Sequence, residues 1–272
     1  RIRWVDVDGD AVMVLDDLQS ALSKFPSQEI AGVTTLVANN EVGSIQPVAE
    51  IAEIAKAHGV SVHLDAIQAF GHIDLPIRQW GVDAVSLSAH KIGGPVGVGA
   101  LVVTRGAPSI EDLHHGGGQQ LHRSGTLDAA GAVAFAHAAT LAEDQRVETE
   151  DRLVALSKRL RDGLVAAVPG VSASGKPENR LPHIVHVTVE GAEGDVLLYL
   201  LDEKGIRVST GSACQAGVPE PSHVLLAMGL DEVAAKGALR MSLGPDTTEE
   251  DVDRVVDVFA QTVGAARAAV SA

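Results

Sequence analysis

Lys91 closes the run DAVSLSAHK and opens the glycine-rich stretch IGGPVGVGALVV, a setting unlike that of a surface lysine among polar residues and helix formers. A short apolar strand ends there, and the glycines let backbone approach a ligand closely. An amine so placed is suited to a Schiff base with a carbonyl once a partly desolvated, cationic site lowers its pKa, and pyridoxal phosphate is the common carbonyl cofactor. Taken alone, Lys91 reads more readily as a solvated loop lysine.

Other residues add to this reading. Asp65 ends VSVHLD, in which Val60, Val62 and Leu64 alternate with Ser61, His63 and Asp65. A carboxylate at the carboxyl end of a strand lies where open α/β sheets place ligands, and could pair with a protonated pyridine nitrogen. A cap for the following segment explains it equally well. Gln68, three residues on, could donate to a cofactor phenolate. Asn39 and Asn40 follow a further apolar run and precede Glu41-Val42-Gly43, where turn chemistry is their ordinary role. Three successive strands ending in polar residues would bring these groups to one sheet edge.

Cys214 lies in IRVSTGSACQAG, a strand followed by a loop of small residues. A lone cysteine is commonly a small buried hydrophobe, but this loop offers little apolar packing. A thiol able to move suits attack on a substrate and later delivery of the product. Arg240, in ALRMSLG, points away from the face shared by Leu239, Met241 and Leu243. Its guanidinium is suited to a substrate carboxylate or, more plainly, to solvent. HHGGGQQLHRSGT, from His114 to Thr126, offers glycines, hydroxyls and an arginine for an anion.

The elements that must position these residues follow from periodicity. Short apolar runs alternate with helical patterns from Ile2 to about Arg105, giving an α/β architecture with a mixed, mostly parallel sheet. The expected strands are Ile2 to Val7, Val33 to Ala38, Val60 to Asp65, Ala84 to Ser88 and Gly99 to Thr104, with a helix from Pro47 to His58. Ala129 to Val168 reads as a long helix with a break near Glu143 and Asp144. Beyond it come strands at His183 to Val189, Ile206 to Ser209 and Leu239 to Leu243, and helices at Asp195 to Glu203 and from Thr248, the last with a capping box from Thr247 to Glu250. The expected domains are 1–140, a large α/β domain, and 141–272, a smaller α+β domain carrying the Cys214 loop.

The chain has 272 residues, 46% of them hydrophobic, enough for a sizeable core. Its net charge of -15, from 36 acids against 21 bases, disfavours nucleic acid and anionic membranes as partners. No apolar run is long enough to span a bilayer and no signal sequence opens the chain, so the expected location is cytoplasmic. One cysteine excludes an internal disulfide, and no cysteine cluster suggests a structural zinc site. The opening at Arg1, close to an apolar run, reads as a start inside a longer chain.

The stretches ANNEVG, HLDAIQAFGHIDLP, SLSAHKIGGPVGVGAL, HGGG with RSGT, VSTGSACQAGVPEPSHVL and LRMSLGPDTTEEDVD, in that order over nearly the whole chain, resemble the cysteine desulfurases of the NifS/IscS-like group. These belong to class V of the fold-type I pyridoxal-phosphate enzymes. ACQAG and RSGT look most like the branch serving iron–sulfur assembly and tRNA thiolation. The resemblance implies that Lys91 holds pyridoxal 5'-phosphate, that Asp65 partners its ring nitrogen and Gln68 its phenolate oxygen, and that Ser88 and His90 hold its phosphate. It implies that Thr126 reaches the phosphate bound in the other protomer of a homodimer, and that Asn40, set against the cofactor, grips the substrate carboxylate with Arg240. Cys214 would attack the sulfur of L-cysteine to leave alanine and an enzyme persulfide, Lys91 would move the proton at the α-carbon, and His90 would stand with them in catalysis. Sulfur would pass to an acceptor or scaffold protein, with Cys214 the one candidate for a transient iron–sulfur contact and no other metal implied.

The family pattern also places a segment of roughly a hundred residues ahead of Arg1, with a glycine–threonine phosphate loop and a histidine that stacks on the cofactor. Between GGG and RSGT this chain has QQLH, shorter than the usual spacing and without its Glu-Arg pair. Selenocysteine lyases, lyases of thiol biosynthesis and a catalytically silent scaffold share the same expected fold.

Overall fold

The alternating apolar runs of the first half of the chain form a sheet in which two parallel strands end in polar residues, at Asp65 and Ser88. In the computed structural model, which describes residues 1–107, 118–119, 123–210 and 221–270, the chain divides into two compact units. One, here the lysine unit, comprises Leu18–Val37 and Pro47–Arg146; the other, the arginine unit, comprises Arg1–Asp17, Ala38–Gln46 and Val147–Ala272.

Helix α1, Leu15–Ser23, opens the ordered elements and buries Leu18, Ala21 and Leu22 at helical spacing. The expected strand Ile2 to Val7 does not form. Val7 alone bridges Met13, and the chain turns at once because Asp8 Oδ1 accepts from the backbone N–H of Asp10 and of Val12, both at 2.9 Å. Ile2 and Trp4 therefore have no strand partner and remain largely exposed.

Strands β1 (Val33–Leu36), β2 (Val62–Asp65) and β3 (Ala84–Ser88) run parallel, and β4 (Gly99–Val103) returns antiparallel to β3. The order is β1-β2-β3-β4. Between β1 and β2, helix α2 (Val48–Ala57) buries Val48, Ile51, Ala52 and Ala55 on one face. The short helix α3 (Ile77–Trp80) precedes β3 and stops at Gly81, whose φ of 69° is the left-handed cap glycine permits. Strands β5 (Gly118–Gln119) and β6 (Arg123–Ser124) form a small antiparallel pair.

Helix α4 (Ala129–Ala167) runs without the expected break. The acidic stretch is accommodated on its surface, where the Arg146 guanidinium donates to Glu143 at 3.1 Å and lies 3.9 Å from Asp74. The boundary between the units falls just beyond, between Arg146 and Val147. In the lysine unit Phe135 of α4 meets Phe70 edge-on, with centroids 6.2 Å apart.

The arginine unit is built on an antiparallel sheet of β7 (Val171–Ala173), β8 (Ile184–Val189) and β9 (Ala238–Ser242), in that order. Helices α5 (Gly194–Asp202), α6 (His223–Ala227), α7 (Glu232–Lys236) and α8 (Glu249–Val270) complete it. Its core joins Leu160 and Leu164 of α4, Val187 of β8, Leu201 of α5, Leu239 of β9 and Phe259 of α8. Helices α4 and α8 meet closely at Gly163, where a Cβ would fall 2.7 Å from Val256. The segment Ile206 to Ser209 is not a strand; only Ser209 bridges Arg240. The cap of α8 lies one residue later than expected. Thr248 and Asp251 exchange side-chain and backbone hydrogen bonds at 3.0 and 3.1 Å, whereas the Thr247 hydroxyl accepts from Gly244 N–H.

One polar side chain is fully enclosed in this sheet. His186 of β8 lies in register with Arg240 of β9 and has no exposed surface. Its Nδ1 is 2.8 Å from the Ser174 hydroxyl, and its Nε2 has no hydrogen-bond partner among the described residues. Burial, reinforced by the charges of Arg180 and Arg240, pushes its pKa from 6.5 down to about 3. Arg180 is itself lowered to about 10 by burial and by Arg161, and so stays charged at neutral pH.

Two expectations follow. Phe259 is fully buried, and Phe259→Ala should cost about 3–5 kcal/mol in denaturant unfolding. For His186, the unfolded chain takes up a proton near pH 6.5 while the folded chain does not until about pH 3. Its contribution is therefore full above 6.5 and is lost as pH falls toward 3, with a slope of at most about 1.4 kcal/mol per pH unit. Paired denaturant titrations of parent and His186→Asn across this range should show the shallower dependence in the variant.

Candidate active site

The lysine unit brings together most of the residues singled out by sequence. Asp65 ends β2, with Leu36 of β1 and Ser86 of β3 as its register partners. Alternation along β2 turns Val62 and Leu64 into the core and leaves His63 and Asp65 half-buried on the opposite face. Both readings of Asp65 hold in part. Oδ1 caps the following turn, accepting from Ile67 N–H at 2.9 Å, while Oδ2 makes no hydrogen bond among the described residues. Gln68 follows in that turn, half-buried.

Ser88 ends β3, and a single 3-10 turn, Ala89–Lys91, carries the next residues. The Ser88 hydroxyl and His90 Nδ1 are 2.7 Å apart. Lys91 is exposed and forms no ion pair among the described residues. The backbone then folds back through Gly93, at φ 80°, into β4. There Gly99 is required, since a Cβ would lie 2.7 Å from the Leu87 carbonyl oxygen. From the other side, His72 Nε2 donates to the Lys91 carbonyl at 3.2 Å. Its pKa is lowered by burial first, with the charge of Lys91 acting in the same direction against the hydrogen bond, so a neutral imidazole braces the lysine's backbone.

Sequence reading missed a polar row across this sheet. His63 Nδ1 lies 2.8 Å from the Thr34 hydroxyl and its Nε2 2.8 Å from the Ser86 hydroxyl, joining β1, β2 and β3 on the face that carries Asp65. The alternation in VSVHLD was the signal, because it puts His63 and Asp65 on one side.

Asn40 and Arg240 fall in the arginine unit. Arg240 Nη1 donates to the Asn40 carbonyl at 2.8 Å, and Nη2 lies 3.4 Å from the Ser209 hydroxyl. Its Nε is buried without a partner, and no carboxylate pairs with it among the described residues. The Asn40 segment is further held by the Asn39 side chain, whose Oδ1 accepts from Glu41 and Val42 N–H at 2.8 and 3.0 Å, and by Leu181 N–H on the Gly43 carbonyl at 2.8 Å. Asn39 thus serves the turn, and Asn40 is left with its side chain unengaged among the described residues. Sequence reading also missed His186, the register partner of Arg240, on which the charges of both Arg180 and Arg240 act.

Thr126 is exposed beyond β6. Cys214 lies outside the described residues, as does most of the glycine-rich stretch from His114 to His122. Among the described residues no three His, Cys, Asp or Glu side chains are grouped to hold a metal ion. No helix among them is long and apolar enough to cross a membrane.

The donor set of the lysine unit fits a phosphorylated aldehyde on an aromatic ring. An amine free of carboxylates, a hydroxyl–imidazole pair and a carboxylate with a spare oxygen supply what carbonyl, phosphate and ring nitrogen respectively need. The uncompensated guanidinium of Arg240, with its buried Nε, suits a carboxylate.

Comparison with known proteins agrees with this chemistry. The model of the Aminotransferase class-V family matches residues 1–255. An IscS-like cysteine desulfurase of Mycobacterium tuberculosis is 43% identical over 99% of this chain and 68% of its own length. Cysteine desulfurase IscS of Methanosarcina thermophila is 40% identical over 97% of the chain and 64% of its own. Among solved structures, a NifS-like protein superposes with a TM-score of 0.85 at 35% identity, covering 97% of this chain and 68% of that one. A NifS-like protein from Rickettsia africae gives 0.87 at 30%, covering 96% and 69%. The chain thus spans about two thirds of the length of these relatives. By the family match over residues 1–255 and these relatives, the chain belongs to the class-V aminotransferase family, in its cysteine desulfurase group.

Proposed function

We propose that the protein is a pyridoxal-phosphate-dependent cysteine desulfurase that takes sulfur from L-cysteine, leaves L-alanine, and carries the sulfur as a persulfide on Cys214. The observation that carries this reading is the lysine-unit cluster of Asp65, Ser88, His90 and Lys91, each at a strand end or in the single turn after it. Lys91 anchors the cofactor, Ser88 and His90 take its phosphate, Asp65 faces its ring nitrogen and Gln68 its phenolate oxygen. When bound, pyridoxal phosphate supplies an electron sink for the pair released at the substrate's α-carbon.

The protein's own groups do the rest. Asn40 and Arg240 orient the substrate by its carboxylate. Lys91, with His90 beside it, moves the proton at the α-carbon. The Cys214 thiolate attacks the substrate's Sγ; the Sγ–Cβ bond breaks with its electron pair on carbon, which takes a proton to complete alanine, and the sulfur remains as the persulfide. On this reading, and by the family resemblance of the motifs, the sulfur passes to an acceptor protein for iron–sulfur assembly or thiolation, in the cytoplasm, from a homodimer in which Thr126 reaches the partner's phosphate site.

Lys91→Ala should abolish the visible-edge absorbance of the cofactor-loaded protein and all turnover. Cys214→Ser should keep that absorbance and lose sulfur release by about a hundredfold or more; unchanged turnover would remove Cys214 from the mechanism.

A further inference from the structure

Glu41 immediately follows Asn40 and is almost wholly buried, at 2% exposure. Among the described residues no cation pairs with its carboxylate. Its partner is Ser222, 181 positions away in sequence, whose hydroxyl donates to Oε2 at 2.5 Å and is itself buried. Ser222 also caps α6 with longer bonds, accepting from Val224 N–H at 3.2 Å, the upper end of the usual range, and from Leu225 N–H at 3.4 Å, beyond it. The hydroxyl thus serves both, with its shortest bond to the carboxylate. Burying a carboxylate with one hydroxyl for a partner is costly, and a neutral side chain would serve stability better.

The place of this pair in the chain gives it a use. Ser222 stands just after residues 211–220, which include Cys214 and lie outside the described residues. The upstream flank of the same segment is tied down as well. Ser209 and Arg240 exchange backbone hydrogen bonds at 2.9 and 2.7 Å, and their side chains meet at 3.4 Å. Arg240 in turn holds the Asn40 carbonyl. Both flanks of the Cys214 segment are therefore fastened to the two residues assigned to the substrate carboxylate, one through Arg240 and the other through the neighbour of Asn40.

We propose that Glu41 and Ser222 are positioning residues for sulfur transfer, forming the clamp that sets the downstream flank of the Cys214 segment relative to Asn40 and Arg240. The inference rests on the proposed function of Cys214. Neither residue touches substrate; each acts through the segment it holds.

The test uses the full chain loaded with cofactor and the variants Ser222→Ala, Ser222→Thr and Glu41→Gln. Because Cys214 is the only cysteine, its alkylation by iodoacetamide, followed by intact mass, reports on its setting independently of turnover. Ser222→Ala should change the alkylation rate by about threefold or more. Its kcat for alanine formation should fall by about tenfold or more, with KM and cofactor absorbance unchanged. Glu41→Gln should act in the same direction, and Ser222→Thr, which keeps the hydroxyl, should restore both readouts. Alkylation and kcat unchanged in Ser222→Ala and Glu41→Gln would overturn the clamp. So would a joint loss of kcat, KM and cofactor absorbance that Ser222→Thr does not restore, since that marks a purely structural role. A parent protein that makes no alanine refutes the function reading instead, and leaves alkylation as the measure of the clamp.

Discussion

Arg240 sits in the middle of β9 with Nη1 on the Asn40 carbonyl, Nε buried without a partner, and no carboxylate among the described residues to balance its charge. A cation so placed costs free energy unless something anionic arrives to meet it. Its neighbours are consistent with that vacancy of negative charge rather than with a structural ion pair. His186, directly across the sheet, is held neutral, and Arg180 adds a second positive group nearby. The segment around Asn40 is fixed by the Asn39 side chain within its own turn and by Leu181 N–H on the Gly43 carbonyl. A salt-bridged arginine would hold the same backbone; without an acid among the described residues, the charge of Arg240 stays available to an anion such as the substrate carboxylate proposed for it.

The lysine unit solves a different problem, presenting an amine without burying it. Register places Asp65 beside Ser86, and β3 then hands the chain to the 3-10 turn that carries His90 and Lys91. Gly93 and Gly99 allow the return into β4, while His72 holds the Lys91 carbonyl. The row Thr34, His63 and Ser86 ties the three parallel strands together beneath these groups. Rigid strands with reactive groups at their ends keep those groups in place at little cost in flexibility.

Much of this was legible in the residues. Alternation in VSVHLD and the glycines after Lys91 placed β2, β3 and the lysine turn closely, and the order of motifs pointed to the family. Local competition explains the misses. The run from Ile2 to Val7 has strand composition, but Asp8 turns the chain before a ladder can form. Glu143 and Asp144 suggested a break that Arg146 neutralises within the helix. Thr247 and Thr248 both offer caps to α8, and only tertiary context assigns Thr247 to Gly244. The environment of Arg240 was invisible for a simpler reason. His186, Arg180 and the pair Glu41–Ser222 come together over long sequence separations, and nothing in their own neighbourhoods marks them.

The central claim is that a thiol on this chain receives sulfur from cysteine while the carbon skeleton leaves as alanine. The most direct measurement follows both products in one reaction: the cofactor-loaded protein is mixed with L-cysteine, small molecules are analysed for alanine, and the Cys214 peptide is examined by mass spectrometry. The account expects alanine in step with a Cys214 peptide heavier by one sulfur atom. Pyruvate and ammonia, with an unmodified Cys214 peptide, would contradict it.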